Sequence, residues 1–205
     1  MRFRLTLVVN KMGKRHTSIE KFIRKHKLAA LKDVMLFILI TLAIHIAWRI
    51  WQTQFNYAPI RGFLYGLMDL MSAEVYRESA WIISGLIDIV RVDDTMYMYF
   101  PNKAIMYVNN SCSGLKQMLQ FALLMLVFPG LWKKKLWFIP LGVLIMHFTN
   151  IFRMVGLAVV MNNWPYQWDF FHDNVFRPFF YIVIFMLWVW WVERIRRKAP
   201  HQSNY

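Results

Sequence analysis

The stretch LWFIPLGVLIMHFTNIFRMVGLAVV, residues 136–160, decides the fold because it is long and apolar enough to cross a membrane as a helix. A helix needs about 20 residues to span roughly 30 Å of hydrocarbon. Three further stretches approach or meet that length, at residues 34–51, 115–131 and 176–192. The sequence therefore predicts an all-α polytopic membrane protein with four transmembrane helices.

The composition and the distribution of charge support this class. The chain is 58% hydrophobic, and its net charge of +14 is concentrated beside the apolar stretches. Of 25 Lys and Arg residues, ten lie in residues 1–32, three at 133–135 and four in the tail from Arg194 to Lys198. Basic clusters that flank apolar segments are typical of cytoplasmic loops and contact anionic lipid. The expected partner of these charges is the lipid membrane, and no nucleic acid is expected.

The charge clusters also predict an orientation. If the basic arm of residues 1–32 is cytoplasmic, the segments 52–114 and 161–174 lie outside the cytoplasm. The tail, residues 196–205, then returns to the cytoplasm. We expect a single integral domain of the cell inner (cytoplasmic) membrane over residues 1–205, with an uncleaved first helix and a core of three helices in residues 115–195.

The outer segment between residues 61 and 91 mixes charged and apolar residues. Such a pattern suits helices that lie in the membrane interface better than a lipid-exposed span. We predict a pair of outer-side amphipathic helices, broken near Ser72–Glu78, with a re-entrant hairpin as the alternative.

A short β-hairpin is predicted after these helices. Residues 95–100 and 104–108 are rich in β-formers and are joined by Pro101-Asn102-Lys103. This hairpin would lead the chain directly to Cys112.

Cys112 is the only cysteine, so no internal disulfide can form. It lies in Asn109-Asn110-Ser111-Cys112-Ser113-Gly114-Leu115, at the predicted amino-terminal end of the second membrane helix. The positive end of the helix dipole favours a thiolate there. Cys112 is therefore a candidate nucleophile.

Arg153 is a second candidate because it lies inside the third predicted span. At about 1.5 Å per residue it is roughly 25 Å along the helix from Leu136, in the outer half. A membrane-embedded arginine costs several kcal/mol unless it is paired or faces a hydrated cavity. Asn150, three residues earlier, is on the same face and is expected to orient the guanidinium. The alternative is that Arg153 extends to the outer headgroups.

His172 is the third candidate. It lies in the predicted outer loop just before the last span, where neighbouring Trp and Tyr residues favour the membrane surface. An imidazole can exchange protons near neutral pH, so it could serve a thiol at the same level. A structural role is the alternative. Asp169 or Asp173 could hold its other nitrogen.

The remaining histidines favour structural roles. His45 and His147 lie in predicted spans and are expected to form helix-packing hydrogen bonds. No pair of histidines has the i, i+4 spacing of a helical zinc motif, so neither a metal nor a cofactor is predicted.

These motifs resemble the exosortase/archaeosortase family. The resemblance rests on the Asn-Ser-Cys-Ser-Gly-Leu motif, on Asn-x-x-Arg at Asn150–Arg153, and on a histidine before the last span. It covers roughly residues 105–195. It implies a compact exosortase with catalytic Cys112, Arg153 and His172, supported by the other motif residues, Ser111, Ser113, Gly114 and Asn150.

The resemblance also implies an activity and a partner. The enzyme would be a membrane cysteine transpeptidase or protease whose substrates end in a short motif, a transmembrane helix and a basic tail. Two other classes stay open, a non-catalytic membrane assembly subunit and a small transporter. The sequence does not predict the oligomeric state.

Overall fold

The computed structural model describes residues 31–51 and 58–196. Helix α1, Leu31–Trp51, is apolar and long enough to cross a membrane. It agrees with the first predicted span. The predictions for residues 1–30 and 197–205 lie outside the described residues.

Helix α2 runs without a break over Ala58–Ser84. The predicted pair of helices, broken near Ser72–Glu78, is therefore wrong. Polar residues in the expected break are satisfied within the helix: the Ser72 hydroxyl donates to the carbonyl of Asp69 at 2.9 Å, and Arg77 pairs with Glu74 at 2.8 Å. Such local hydrogen bonds and i, i+3 pairs allow the helix to continue.

A three-stranded antiparallel sheet follows, with β1 (Val90–Val92), β2 (Tyr97–Tyr99) and β3 (Ile105–Tyr107) in that order. The predicted hairpin is confirmed as β2 and β3, with Met98 opposite Met106. Strand β1 was not predicted because Val-Arg-Val is too short for a clear alternating pattern. Met98 and Met106 are buried in a core cluster that contains residues from α2 and from the fourth helix, described next.

Helices α3 (Leu115–Val127) and α4 (Trp132–Asn163) are joined by only four residues and pack against each other. The second span was predicted to reach Leu131, but α3 ends at Val127. Phe128 has an extended backbone conformation, as residues before a proline commonly do. At 13 residues, α3 is about 20 Å long. Within the described ranges, three helices rather than the predicted four reach spanning length.

The third of these is α5, a continuous helical segment over Pro165–Arg194. The predicted outer loop of residues 161–174 is therefore mostly helical, because Pro165 starts the helix directly after α4. Two π-helical segments interrupt its α-helical geometry, Phe171–Phe176 and Trp191–Arg196. The predicted fold class, an all-α membrane protein with a small hairpin, is confirmed.

Close helix packing fixes the position of α3 along α4. The ring of Phe121 lies over Gly142, where an added Cβ atom would be 2.1 Å from it. Near the connection between the two helices, Lys135 Nζ donates to the carbonyl of Leu126 at 2.7 Å. Small residues allow such approach between membrane helices. The start of α3 therefore lies far along α4.

We predict that Gly142→Ala destabilises the protein by about 1–3 kcal/mol, because the buried Phe121 ring has to move. Gly66→Ala in α2 is the matched control, since a Cβ atom there meets nothing within 4 Å. Thermal unfolding in detergent measures both variants. Equal midpoints for the two variants would contradict this packing.

Candidate active site

The chain from β3 to α3 forms a tight turn that carries Cys112. Asn109 caps a 3-10 turn over Asn110–Cys112: its side chain accepts from the backbone N–H of Ser111, and its carbonyl accepts from that of Cys112 at 2.8 Å. The Cys112 thiol also points to Asn109 Oδ1, at 3.7 Å. This is a side-chain cap of the usual Asn type.

Cys112 lies just before α3, which begins at Leu115 as predicted. Gly114 has φ = 73° and caps α3, so the chain changes direction between the cysteine turn and Leu115. A residue with a Cβ atom is strained in this left-handed conformation. Ser113 is buried beside it, and its hydroxyl accepts from the N–H of Leu115 at 3.3 Å.

Asn150 fastens the cysteine turn to α4. It is 0% exposed, and its Nδ2 donates to the carbonyl of Cys112 at 2.7 Å. An added Cβ atom at Gly114 would be 2.9 Å from that nitrogen, so the contact depends on glycine. The expected role of Asn150 was to orient Arg153. In the described part of the chain its amide instead holds the cysteine backbone, and its Oδ1 has no hydrogen-bond partner.

Arg153 lies one turn further along α4 and is only 5% exposed. Its guanidinium interacts electrostatically with the Cys112 side chain, and its central carbon lies 5.7 Å from the centre of the Phe180 ring of α5. Among the described residues its Nε has no hydrogen-bond partner. Since α4 continues to Asn163, Arg153 is inside the bundle and not at a helix end.

His172 is helical, within the π-helical segment of α5, and not in a loop. Its Nδ1 bonds to Asp173 Oδ1 at 2.7 Å, and the same oxygen pairs with Arg177 at 3.2 Å. The imidazole stacks on Trp168, with ring centroids 5.9 Å apart. The structure thus selects Asp173, and not Asp169, as its partner.

The described contacts bring Cys112, Asn150 and Arg153 together, but no hydrogen bond within residues 31–51 and 58–196 joins His172 to Cys112. Both residues lie near the same core cluster, which includes Met98 and Met154. Cys112 packs against it directly, and so does Trp168, on which His172 stacks. His172 therefore belongs to the same end of the bundle as the cysteine turn.

Several contributing residues were missed from the sequence. Asn109 had a detectable signal, since Asn side chains commonly accept from the backbone N–H two residues further on. Trp168 and Arg177 had no comparable signal, because they reach His172 and Asp173 only when this segment is helical, and the sequence predicted a loop there. Ser111 is exposed and its hydroxyl also donates to Asn109 Oδ1.

The predicted packing role of His147 agrees with its contacts. Its Nε2 lies 2.7 Å from Glu78 Oε2, which joins α4 to α2. Across the described ranges, no group of three or more His, Cys, Asp and Glu side chains is arranged to hold a metal ion.

A thiol beside a buried cation favours nucleophilic chemistry. The thiolate is the reactive form of cysteine. A cation that is already oriented in a site of low dielectric can also stabilise a developing oxyanion. The arrangement of Cys112 and Arg153 is therefore suited to attack on a carbonyl group.

A family comparison agrees with these features. The model of the transmembrane exosortase family matches residues 26–191. The match covers most of the chain, so the chain belongs to this family of membrane cysteine transpeptidases. Comparisons with curated proteins and with solved structures gave no match.

We predict that Arg153→Met slows alkylation of Cys112 by a water-soluble maleimide at pH 7 about tenfold, because the buried cation no longer stabilises the negative charge that develops during attack. Arg153→Lys retains most of the rate. Cys112 is the only cysteine, so mass spectrometry reads the reaction directly. Arg77→Met, an exposed arginine of α2, is the control. Equal rates in all four proteins would contradict a role of Arg153 at the thiol.

Proposed function

We propose that this chain is a membrane-embedded cysteine transpeptidase that cleaves carboxy-terminal sorting signals of exported proteins and transfers the proteins to a surface acceptor. One observation carries the proposal: Asn150 binds the backbone of the cysteine turn at 2.7 Å, one helical turn from the buried guanidinium that interacts with the thiol. Membership of the exosortase family supports the same reaction class.

In the proposed reaction, the Cys112 sulfur forms a bond to the scissile carbonyl carbon, and the carbonyl oxygen becomes negative. Arg153 stabilises that oxyanion. His172 accepts the thiol proton and returns it to the amine as the C–N bond breaks, which leaves a thioester on Cys112. An acceptor nucleophile then attacks the thioester and releases the sulfur. Attack by water instead gives simple proteolysis.

The contacts of His172 suit proton transfer. A carboxylate oxygen only accepts hydrogen bonds, so the bond to Asp173 favours a proton on Nδ1 and leaves Nε2 available. Arg177 holds Asp173 from the other side, and the stack on Trp168 restricts the imidazole plane. These three residues are positioning residues for His172 in our proposal.

The sidedness of the site is also part of the proposal. Since α3 ends only four residues before α4 begins, α3 carries the chain to the side on which α4 starts. With Lys133–Lys135 on the cytoplasmic side, the cysteine turn lies toward the opposite, extracytoplasmic side. Both termini are then cytoplasmic, and the membrane is the cell inner membrane.

The proposed substrates are exported proteins that end in a short motif, one transmembrane helix and a basic tail. A suitable reporter is an exported protein fused to such a tail from the same genome. Its helix would lie beside the bundle in the membrane while the motif enters the site.

We predict that Cys112→Ala leaves the protein folded and inserted but abolishes reporter cleavage, so that the uncleaved precursor accumulates at least a hundredfold over wild type, since no other thiol is present. Immunoblotting of membranes measures the precursor. Ser84→Ala, an exposed serine of α2, is a control for substitution. Normal cleavage by Cys112→Ala would exclude the thioester route and favour the assembly-subunit alternative.

A further inference from the structure

Strand β3 is an edge strand that leads directly into the cysteine turn. The sheet order is β1-β2-β3, so β2 pairs with one side of β3 only. From Tyr107 the chain continues through an extended Asn109 to the turn that ends at Cys112. The free edge of β3 is therefore continuous with the candidate nucleophile.

Two residues of β3 present unpaired backbone groups on this edge. Val108 N–H donates to Met96 and Ala104 C=O accepts from Phe100, so the backbone groups of even-numbered residues face β2. Backbone groups alternate along a strand, so those of Ile105 and Tyr107 face away from the sheet. In the part of the chain that the structure describes, they have no hydrogen-bond partner.

The two edges of the sheet differ in their side chains. Strand β1 carries Arg91, and Asp94 follows shortly after it. Charges of this kind prevent an edge from pairing. Strand β3 carries no charge: Ile105 is 50% and Tyr107 is 47% exposed. An uncharged edge strand with unpaired backbone groups is a template for another strand.

Stacked tyrosines make the surface beside this edge rigid. The ring of Tyr107 stacks on that of Tyr97 with centroids 4.7 Å apart, and Tyr97 stacks on Tyr99 at 6.3 Å. Alternate side chains of an added strand would contact this aromatic surface. Backbone pairing and side-chain contacts together are the usual means of recognising an extended peptide.

We infer that the free edge of β3 binds the extended recognition segment of the substrate polypeptide as an added strand. This inference rests on the proposed function. The segment runs parallel to β3, because β3 and the proposed substrate both lead from the outer side toward the membrane. Tyr107 and Cys112 are separated by roughly 10–13 Å of extended chain and 3-10 turn. Tyr107 therefore contacts a residue about three or four positions before the scissile bond.

Proline substitution tests the edge because it removes a backbone N–H. Tyr107→Pro and Ile105→Pro each remove an unpaired donor from β3, so the hairpin itself keeps its hydrogen bonds. Arg91→Pro removes an outward-facing donor from β1 and is the matched control. We expect the reporter to be cleaved at least tenfold more slowly by both β3 proline variants, and within about twofold of wild type by Arg91→Pro.

A cross-linking experiment covers the case in which a proline variant does not fold. A benzoylphenylalanine at position 107 or 91 is introduced into the Cys112→Ala protein, which is then irradiated with the reporter. We expect the reporter to cross-link at 107, through residues shortly before the scissile bond, and not at 91.

Equal cleavage by the well-folded β1 and β3 proline variants would overturn the inference. So would equal reporter cross-linking at both positions, or cross-linking at 107 to a second copy of the chain. Reporter cleavage that survives Cys112→Ala overturns the proposed function instead, so the two failures are distinguishable.

Discussion

The buried charge of Arg153 is the constraint on which the rest of the site depends. A cation removed from water costs several kcal/mol unless the surrounding structure compensates it. Its surroundings here include the Cys112 thiol, the face of Phe180 and the like charge of Arg177, and among the described residues no carboxylate pairs with it. A cation without a fixed anionic partner remains available to stabilise negative charge that develops during a reaction.

Helix α4 organises this environment because every neighbouring element is attached to it. The turn of the β-hairpin is held by Asn102, whose side chain donates to the carbonyls of Met161 and Asn162. Helix α2 is joined through Glu78 and His147, and α3 is fixed by the close contact at Gly142. Asn150 then needs only one hydrogen bond to place the cysteine turn next to Arg153. The site is therefore located where the sheet, α2 and α3 meet the same helix.

The parts predicted correctly from the sequence are those with a strong local signal. A lone cysteine after a polar turn, and an arginine within 25 mainly apolar residues, are conspicuous without a structure. The β-hairpin was predicted because turn residues separate two β-rich runs. The close succession of α3 and α4 was predicted because the lysines at 133–135 separate two apolar stretches, although the shorter length of α3 was not predicted.

The errors have two physical causes, pairing along a single helix and tertiary contact, and each overrides the pattern in the sequence. Charges that indicated a break in α2 are paired along one helix or with α4. The aromatic residues before His172 suggested a surface loop, but they continue a helix that packs on α4. The bond from Asn150 to the Cys112 carbonyl was not predicted, because it joins two elements that are 38 residues apart in the sequence.

The most direct test of this account is detection of the acyl-enzyme. The purified protein is incubated with the reporter, quenched in acid and digested, and the peptide that contains Cys112 is weighed by mass spectrometry. We predict an added mass equal to the reporter sequence upstream of the cut, removable by neutral hydroxylamine and strongly reduced in Arg153→Met. Accumulation of cleaved reporter while Cys112 remains unmodified, under conditions that preserve thioesters, would contradict the account.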